Sequence, residues 1–229
     1  MMLAREVTAK RTEESGISLT ELIVAMLIFG IASTMVIGFF ISTTKTMSLA
    51  QSLTTNTKQA SNAMNQTARL IRAGTENPVK GETNDPAFLF ASTETLTMYA
   101  YINLQSSEQK PIAVQLSLNT KRQLIEKQWP AKPGDVAGYW TFDVGGPPAS
   151  TRILATSVAP TGSGGPLFSY LTADGSVLPA GSLNKDQRRS VAAVKVTLTL
   201  QEEGASDEHR VSLQNTVGIP NLGFHRVVS

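Results

Sequence analysis

The longest apolar segment of the chain runs from Leu22 to Thr44, a stretch of 23 residues without a single charge. Sixteen of the 20 residues from Leu22 to Ile41 are apolar. A helix over the uncharged stretch has a length of about 34 Å at ~1.5 Å per residue, enough to cross a hydrocarbon layer of ~30 Å. The pattern therefore predicts one membrane-spanning helix.

The spacing of apolar residues predicts that this helix continues beyond the membrane. Residues 45–72 contain no glycine or proline, and apolar or small side chains recur every three or four positions. These positions are Leu49, Leu53, Thr57, Ala60, Met64, Thr67 and Ile71. The predicted helix extends from Thr20 to Arg72, about 80 Å, and Gly74 and Pro78 provide the signals that end it.

After residue 78 the pattern becomes typical of strands. Segments rich in β-branched and aromatic residues alternate with polar turns, and residues 134–165 hold many glycines and prolines that indicate loops. The predicted strands cover residues 93–104, 111–118, 123–129, 153–158, 190–201 and 208–213, the last two forming a hairpin around Gly204. We therefore expect an α+β fold, with one long N-terminal helix packed on an antiparallel β-sheet.

Composition gives little support for enzyme chemistry. Of 229 residues, 41% are hydrophobic and 17% are charged, with a formal net charge of +2. The chain has no cysteine and only two histidines, His209 and His225, which leaves too few ligands for a typical zinc site. Its aspartates do not form the dense pattern of a calcium loop. We expect no catalytic residues, no metal and no cofactor, and thus a protein that is not an enzyme.

Two ordinary interpretations exist for the apolar segment, a cleaved signal peptide and a plain signal anchor. The run is longer than the 7–15 residues of a signal peptide, and no clean small-residue cleavage pattern follows it. Basic residues precede it at Arg5, Lys10 and Arg11, which favours a cytoplasmic N-terminus. Neither interpretation explains Glu21, a carboxylate at the edge of the apolar run.

Glu21 can simply face lipid headgroups, or it can pair with a cation. Placed deeper in the membrane without a partner, a carboxylate costs around 2.5–3.5 kcal/mol. Cleavage just after Gly16 would create that partner, because the new α-amino group on Ile17 is protonated near neutral pH. Ile17 lies one helical turn before Glu21, so Glu21 could pair with its own terminus or with that of a neighbouring molecule.

The segment from Gly16 to Phe29, GISLTELIVAMLIF, resembles the cleavage and methylation motif of type IV pilins and pseudopilins. The resemblance implies that a prepilin peptidase cuts after Gly16 and N-methylates Ile17, where phenylalanine is the commonest residue of the family. It also implies that Glu21 pairs with another subunit's N-terminus during assembly. Removing the 16-residue leader from 229 residues leaves a mature chain of 213.

The resemblance further implies an organisation and a set of partners. The leader covers residues 1–16, the transmembrane and assembly half of the helix 17–44, the amphipathic half 45–76, and a β-rich domain 77–229. Implied partners are prepilin peptidase, other pilin or pseudopilin subunits, the cytoplasmic membrane and the pilus assembly platform. The protein would lie in the inner membrane with its N-terminus cytoplasmic and its C-terminal domain outside, and then reach the pilus and the cell surface.

The size of the mature chain, the Gly/Pro-rich insertions and the segment from Arg210 to Asn215 resemble PilW-type minor pilins and J-type pseudopilins. The main expectation is a minor pilin that helps to initiate or cap a type IV pilus. Two alternatives stay open: a pseudopilin of type II secretion or DNA uptake, and a single-pass surface protein that never polymerises. A DNA contact through the basic segment 185–189 is possible in principle, although a solvated loop explains that segment better.

Small residues recur every fourth position along the spanning helix, at Gly30, Thr34, Gly38 and Ser42. Such a face permits close approach between helices in a membrane or a filament. Two other interpretations remain: small residues are simply tolerated in spanning helices, or the two glycines let the helix unwind locally in a fibre.

Overall fold

A computed structural model describes residues 16–102, 110–136, 138–201 and 209–222 of the chain. The described residues divide into two compact units, one that ends at Leu49 and one that starts at Ala50. The first unit holds the beginning of helix α1, which as a whole runs over Leu19–Arg72, 54 residues, and this confirms the predicted long helix. The predicted end at Arg72 agrees with the structure, and the observed start lies one residue before the predicted Thr20.

The second unit contains the C-terminal end of α1 and an antiparallel β structure, which confirms the predicted α+β class. Its largest sheet has five strands in the order β1-β2-β3-β4-β7. These strands are β1 (Phe88–Ala91), β2 (Thr95–Ala100), β3 (Ile112–Leu118), β4 (Leu124–Pro130) and β7 (Ser150–Ala155). Consecutive strands β1 to β4 form a meander, because each pairs antiparallel with the next strand along the chain.

A second sheet has three strands in the order β10-β9-β8, comprising β8 (Phe168–Leu171), β9 (Ala193–Leu200) and β10 (Val211–Gly218). Strands β9 and β10 pair in register from Leu200 with Val211 to Ala193 with Gly218, so the predicted late hairpin is present. Its turn, including Gly204, lies outside the described residues. A two-stranded hairpin joins β5 (Lys132–Pro133) to β6 (Trp140–Thr141).

Several predicted boundaries were wrong. Strand β2 ends at Ala100 rather than at residue 104. Residues 101 and 102 are not part of a strand, and residues 103 and 104 lie outside the described range. The strand predicted at 153–158 is β7, shifted to Ser150–Ala155. Strand β10 continues five residues beyond the predicted end at 213 because every residue to Gly218 has a partner on β9.

Other elements were not predicted at all: β1, β5, β6, β8 and two short helices, α2 (Thr161–Gly164) and α3 (Lys185–Ser190). The segment interpreted as a solvated basic loop is therefore helix α3. The strands also form separate sheets, whereas the sequence predicted a single sheet. A 3₁₀ turn at Pro220–Leu222 follows β10.

The core of the second unit lies between the buried face of α1 and the two larger sheets. The helix contributes residues spaced by three or four, as an amphipathic helix requires. These are Asn56, Ala60, Ala63, Met64, Thr67, Ala68, Leu70 and Ile71. The apolar members of this set join one hydrophobic cluster with strand residues such as Phe88, Leu116 and Leu198, each no more than 1% exposed. Burial of this face, rather than helix propensity, holds this part of α1 in place.

Candidate functional site

The predicted cleavage position lies at the beginning of α1. Gly16, Ile17 and Ser18 precede the helix in a non-helical conformation, and all three are exposed. The first backbone bond of the helix runs from the amide of Leu22 to the carbonyl of Ser18, at 3.0 Å. The peptide bond after Gly16 is thus outside the hydrogen-bonded helix and open to solvent, as a proteolytic site must be.

Glu21 lies in the first turn of α1 and is exposed. A carboxylate at this place is stabilised by the partial positive charge of the helix N-terminus. Within the part of the chain that the structure describes, Glu21 forms no salt bridge. In the uncut chain the nitrogen of Ile17 is part of a peptide bond, so the cationic partner considered for Glu21 does not exist before cleavage.

The first part of α1 has an apolar surface that its own chain does not cover. Every large hydrophobic side chain from Ile17 to Met47 is 47–75% exposed. The helix is long and apolar enough to cross a membrane, and its most apolar window is 0% buried within the protein. Uncovered apolar surface of this extent marks contact with lipid or with other proteins.

The predicted small-residue face lies on this exposed part of the helix. A Cβ atom built on Gly30 or Gly38 meets no other atom within 4 Å. The helix is uninterrupted across both glycines, and the Thr34 hydroxyl donates to the Ile31 carbonyl at 2.8 Å. Ser42 is exposed, and its carbonyl accepts from the Thr46 hydroxyl at 3.0 Å. Packing within one molecule therefore gives no reason for glycine at either position.

A polar cluster that the sequence did not reveal connects the second part of α1 to the large sheet. Gln66 of the helix donates to the Glu126 carboxylate of β4 at 3.1 Å, and Arg152 of β7 donates to the same oxygen at 2.7 Å. The Glu126 side chain is only 2% exposed. The sequence did contain a signal for this cluster. In the alternation of β4, Glu126 lies on the same face as Leu124 and Gln128, which places a carboxylate at a core-facing position.

The basic segment 185–189 is largely occupied with structural contacts. It forms α3, whose first turn is closed by a reciprocal capping box between Asn184 and Gln187. Arg188 donates to the Leu183 carbonyl at 2.9 Å and Arg189 donates to the Asn84 carbonyl at 3.1 Å. Sequence reasoning missed the helix because it has no apolar periodicity, although the N-x-x-Q capping pattern was visible.

Among the residues that the structure describes, no three histidine, cysteine or acidic side chains come together in a way that could hold a metal ion. A search of protein-family models and a search of curated proteins both return no match to the chain. The exposed apolar helix and the motif at its start therefore remain as the features that indicate function.

Proposed function

We propose that the protein is a subunit of a type IV pilin-like filament, processed by prepilin peptidase and anchored before assembly in the cytoplasmic membrane by the first part of α1. The observation that carries the proposal is the exposed apolar surface from Ile17 to Met47, directly preceded by the exposed bond between Gly16 and Ile17. Lipid covers this surface before assembly, and the helices of other subunits cover it afterwards.

The position of Glu21 supports the same proposal. Its carboxylate lies at the start of an otherwise apolar surface and has no salt-bridge partner among the described residues. A partner with a protonated α-amino group, supplied by a cleaved neighbouring subunit, would compensate the charge when it leaves water. This arrangement provides a stepwise assembly mechanism, in which each subunit enters the filament from the membrane.

The size of the mature chain, 213 residues, favours a minor subunit that helps to initiate or cap the filament. The N-terminus of α1 lies on the cytoplasmic side in this proposal. The basic residues Arg5, Lys10 and Arg11 support that orientation. The same assembly step would serve a secretion or DNA-uptake pseudopilus, so the experiment includes both kinds of filament.

The test is intact-mass analysis and N-terminal sequencing of the protein recovered from membranes and from sheared filaments. We expect a chain that begins at N-methylated Ile17, present in both fractions. A Gly16→Val variant places a branched side chain at the cleavage position and should stay uncut, whereas Ser33→Ala, further along the helix, should be cut normally. Recovery of an uncut chain from cells with active peptidase would instead identify a simple membrane anchor.

A further inference from the structure

A concave surface in the second unit is separate from the apolar helix and serves no role in the filament proposal. It lies between the end of β2, the loop at residues 77–85 and the β5–β6 hairpin, and its volume is about 450 Å³. This volume falls within the range of small-molecule sites, roughly 300–1,000 Å³. The surface is called the aromatic cleft below and is lined by Asn77, Asp85, Tyr99, Asp135, Tyr139 and Trp140, among others.

The walls of the aromatic cleft are fixed by contacts between its elements. The Asn77 side-chain amide donates to the Trp140 carbonyl at 3.3 Å, which connects the loop to β6. The rings of Tyr99 and Phe142 lie 4.8 Å apart at an interplanar angle of 43°. Backbone bonds between Asn77 and Asp85, at 2.9 and 3.2 Å, close the loop on itself. The cleft is thus formed before any ligand arrives, which lowers the entropic cost of binding.

Four aromatic side chains contribute to the apolar part of the lining. Tyr139, Trp140 and Phe142 are each partly exposed and come from one short segment, whereas Tyr99 comes from β2. Several aromatic side chains around one concavity bind a ligand that has a flat apolar face.

The polar part of the lining is suited to a ligand with hydroxyl groups. Asn77 is 6% exposed, and its side-chain oxygen accepts no hydrogen bond from any described atom. Burial and the nearby charge of Asp85 raise the pKa of Tyr99 to about 12, so its hydroxyl stays protonated and can donate. Asp135 is exposed at the rim and supplies a further acceptor.

The charges around the cleft nearly balance, which disfavours an ionic ligand. The lining contains Lys80 as well as Asp85 and Asp135, and the Asp85 carboxylate pairs with Lys185 at 3.3 Å. Lys110 lies 5.6 Å from the Trp140 ring centroid, so a cation is already present beside this part of the cleft. A ligand with no net charge meets the smallest desolvation cost here.

We propose that the aromatic cleft binds a neutral saccharide unit, whose apolar face stacks on the aromatic rings and whose hydroxyl groups bond to Asn77, Tyr99 and Asp135. Every residue involved belongs to the second unit, so the proposal does not depend on cleavage, on the membrane or on polymerisation. It gives the protein a ligand at the cell exterior if the topology proposed above holds.

The first experiment screens an array of neutral and charged glycans with the full chain in phosphatidylcholine nanodiscs, which carry no sugar headgroups. We expect binding of a subset of neutral glycans and a change in tryptophan fluorescence. The chain has only two tryptophans, and Trp129 is 5% exposed with its indole N–H bonded to the Gly146 carbonyl, so Trp140 should give the signal.

The second experiment measures the affinity of the best glycan for variants by calorimetry. Trp140→Ala should weaken binding roughly tenfold or more, as loss of a central aromatic contact does. The matched control is Phe90→Ala, which removes a 41% exposed ring on β1 outside the cleft and should change the affinity less than twofold. If Trp140→Ala does not fold by circular dichroism, Asp135→Asn provides the test, since an exposed side chain can be changed without loss of fold.

Four results would overturn the proposal: no neutral glycan binds above the empty-nanodisc signal, only charged glycans bind, a peptide displaces the glycan and binds more tightly, or the Trp140 and Phe90 variants lose affinity equally. Where Asp135→Asn is the test, unchanged affinity has the same meaning. Any of these results would overturn the saccharide proposal alone. The filament proposal would stay intact, because it is tested by the N-terminus of the chain and not by its ligand.

Discussion

At the scale of single residues, the buried carboxylate of Glu126 links three elements of the second unit. Arg152 and Gln66 donate to one of its oxygens, and Gln128 donates to the other. A buried charge is tolerated only when donors of this kind surround it. Removing a donor leaves part of the desolvation cost uncompensated, so the cluster should be sensitive to truncation.

We expect Arg152→Ala to lower the free energy of unfolding by about 1–3 kcal/mol, because the charged hydrogen bond is lost and Glu126 stays buried. The measurement is urea denaturation followed by the tryptophan fluorescence of the chain. Lys132→Ala is the matched control, since Lys132 pairs with Asp143 at 3.2 Å with both side chains more than half exposed. Such a surface pair contributes less than about 1 kcal/mol. Equal effects of the two substitutions would contradict the assigned role of the cluster.

Glu94 predicts a pH dependence. Hydrogen bonds from the Thr161 hydroxyl and from Arg122 hold its pKa below the usual value of 4.5. A carboxylate whose pKa is lower in the folded chain stabilises the fold above its unfolded pKa, and this contribution disappears as the pH falls through the folded pKa. We therefore expect the wild-type chain to lose stability more steeply below pH 4.5 than Glu94→Gln does. Parallel curves of unfolding midpoint against pH would show that Glu94 contributes nothing.

The sequence predicted the buried helix face only approximately at this scale. Thr57 was placed on that face, but it is exposed and its hydroxyl donates to the Leu53 carbonyl at 2.7 Å, whereas Asn56 is buried at 8% exposure. A period of 3.6 residues leaves the phase uncertain by one position when few large apolar residues fix it. Contacts distant in sequence, such as Gln66 with Glu126, have no local signal at all.

At the scale of elements, the length and type of α1 were predictable because a long apolar run followed by a regular amphipathic pattern admits few other structures. The β9–β10 hairpin was predictable for a similar reason, since both strands alternate clearly. Strands β1 and β8 have only four residues each and α3 has six, too short for a periodic pattern to distinguish them from loops. The two strands depend on pairing partners elsewhere in the chain, whereas α3 is held by a local capping box that is too short a signal to fix a helix by itself.

The glycines of α1 give the prediction at this scale. Since a Cβ at Gly38 meets no atom of its own chain within 4 Å, Gly38→Leu should leave expression and membrane insertion unchanged. If neighbouring helices approach closely at the small-residue face, the larger side chain should reduce the amount of protein in sheared filaments several-fold. Val36→Leu, at an exposed position of the same helix, is the control.

A Gly38→Ala variant separates the remaining interpretations of this face. Alanine is small enough for close packing but favours the helix by ~1 kcal/mol over glycine. Normal assembly of Gly38→Ala together with poor assembly of Gly38→Leu would indicate close packing. Poor assembly of both would indicate that the helix must unwind in the fibre, and normal assembly of both would mean that the small residues are merely tolerated.

At the scale of the whole molecule, the chain combines two units with opposite surface requirements. Up to Met47 the large apolar side chains of the helix are exposed, whereas from Ala60 onward the apolar side chains of the same helix are buried in a core. A chain of this kind is stable in water only when something covers the first unit. Lipid and neighbouring helices can both do so, and movement between these two environments is the step that a filament subunit has to perform.

Under the filament proposal, Glu21 contributes to the energetic balance of that movement. In the single molecule the carboxylate is exposed and has no salt bridge within the described residues, so Glu21→Ala should not change the unfolding midpoint of the chain or its insertion into membranes. Under the filament proposal, the protonated amino group of a neighbour compensates the charge in the filament, and loss of the carboxylate removes an attraction that exists only in the assembled state. We therefore expect Glu21→Ala to be cleaved after Gly16 at the normal rate, to accumulate in the membrane and to be depleted several-fold from sheared filaments, with Glu21→Asp intermediate. The measurement is quantitative immunoblotting of the two fractions with the N-terminus verified by mass. Normal amounts of the Glu21→Ala chain in filaments would mean that this carboxylate only faces headgroups, and assembly would then depend on the apolar surface alone.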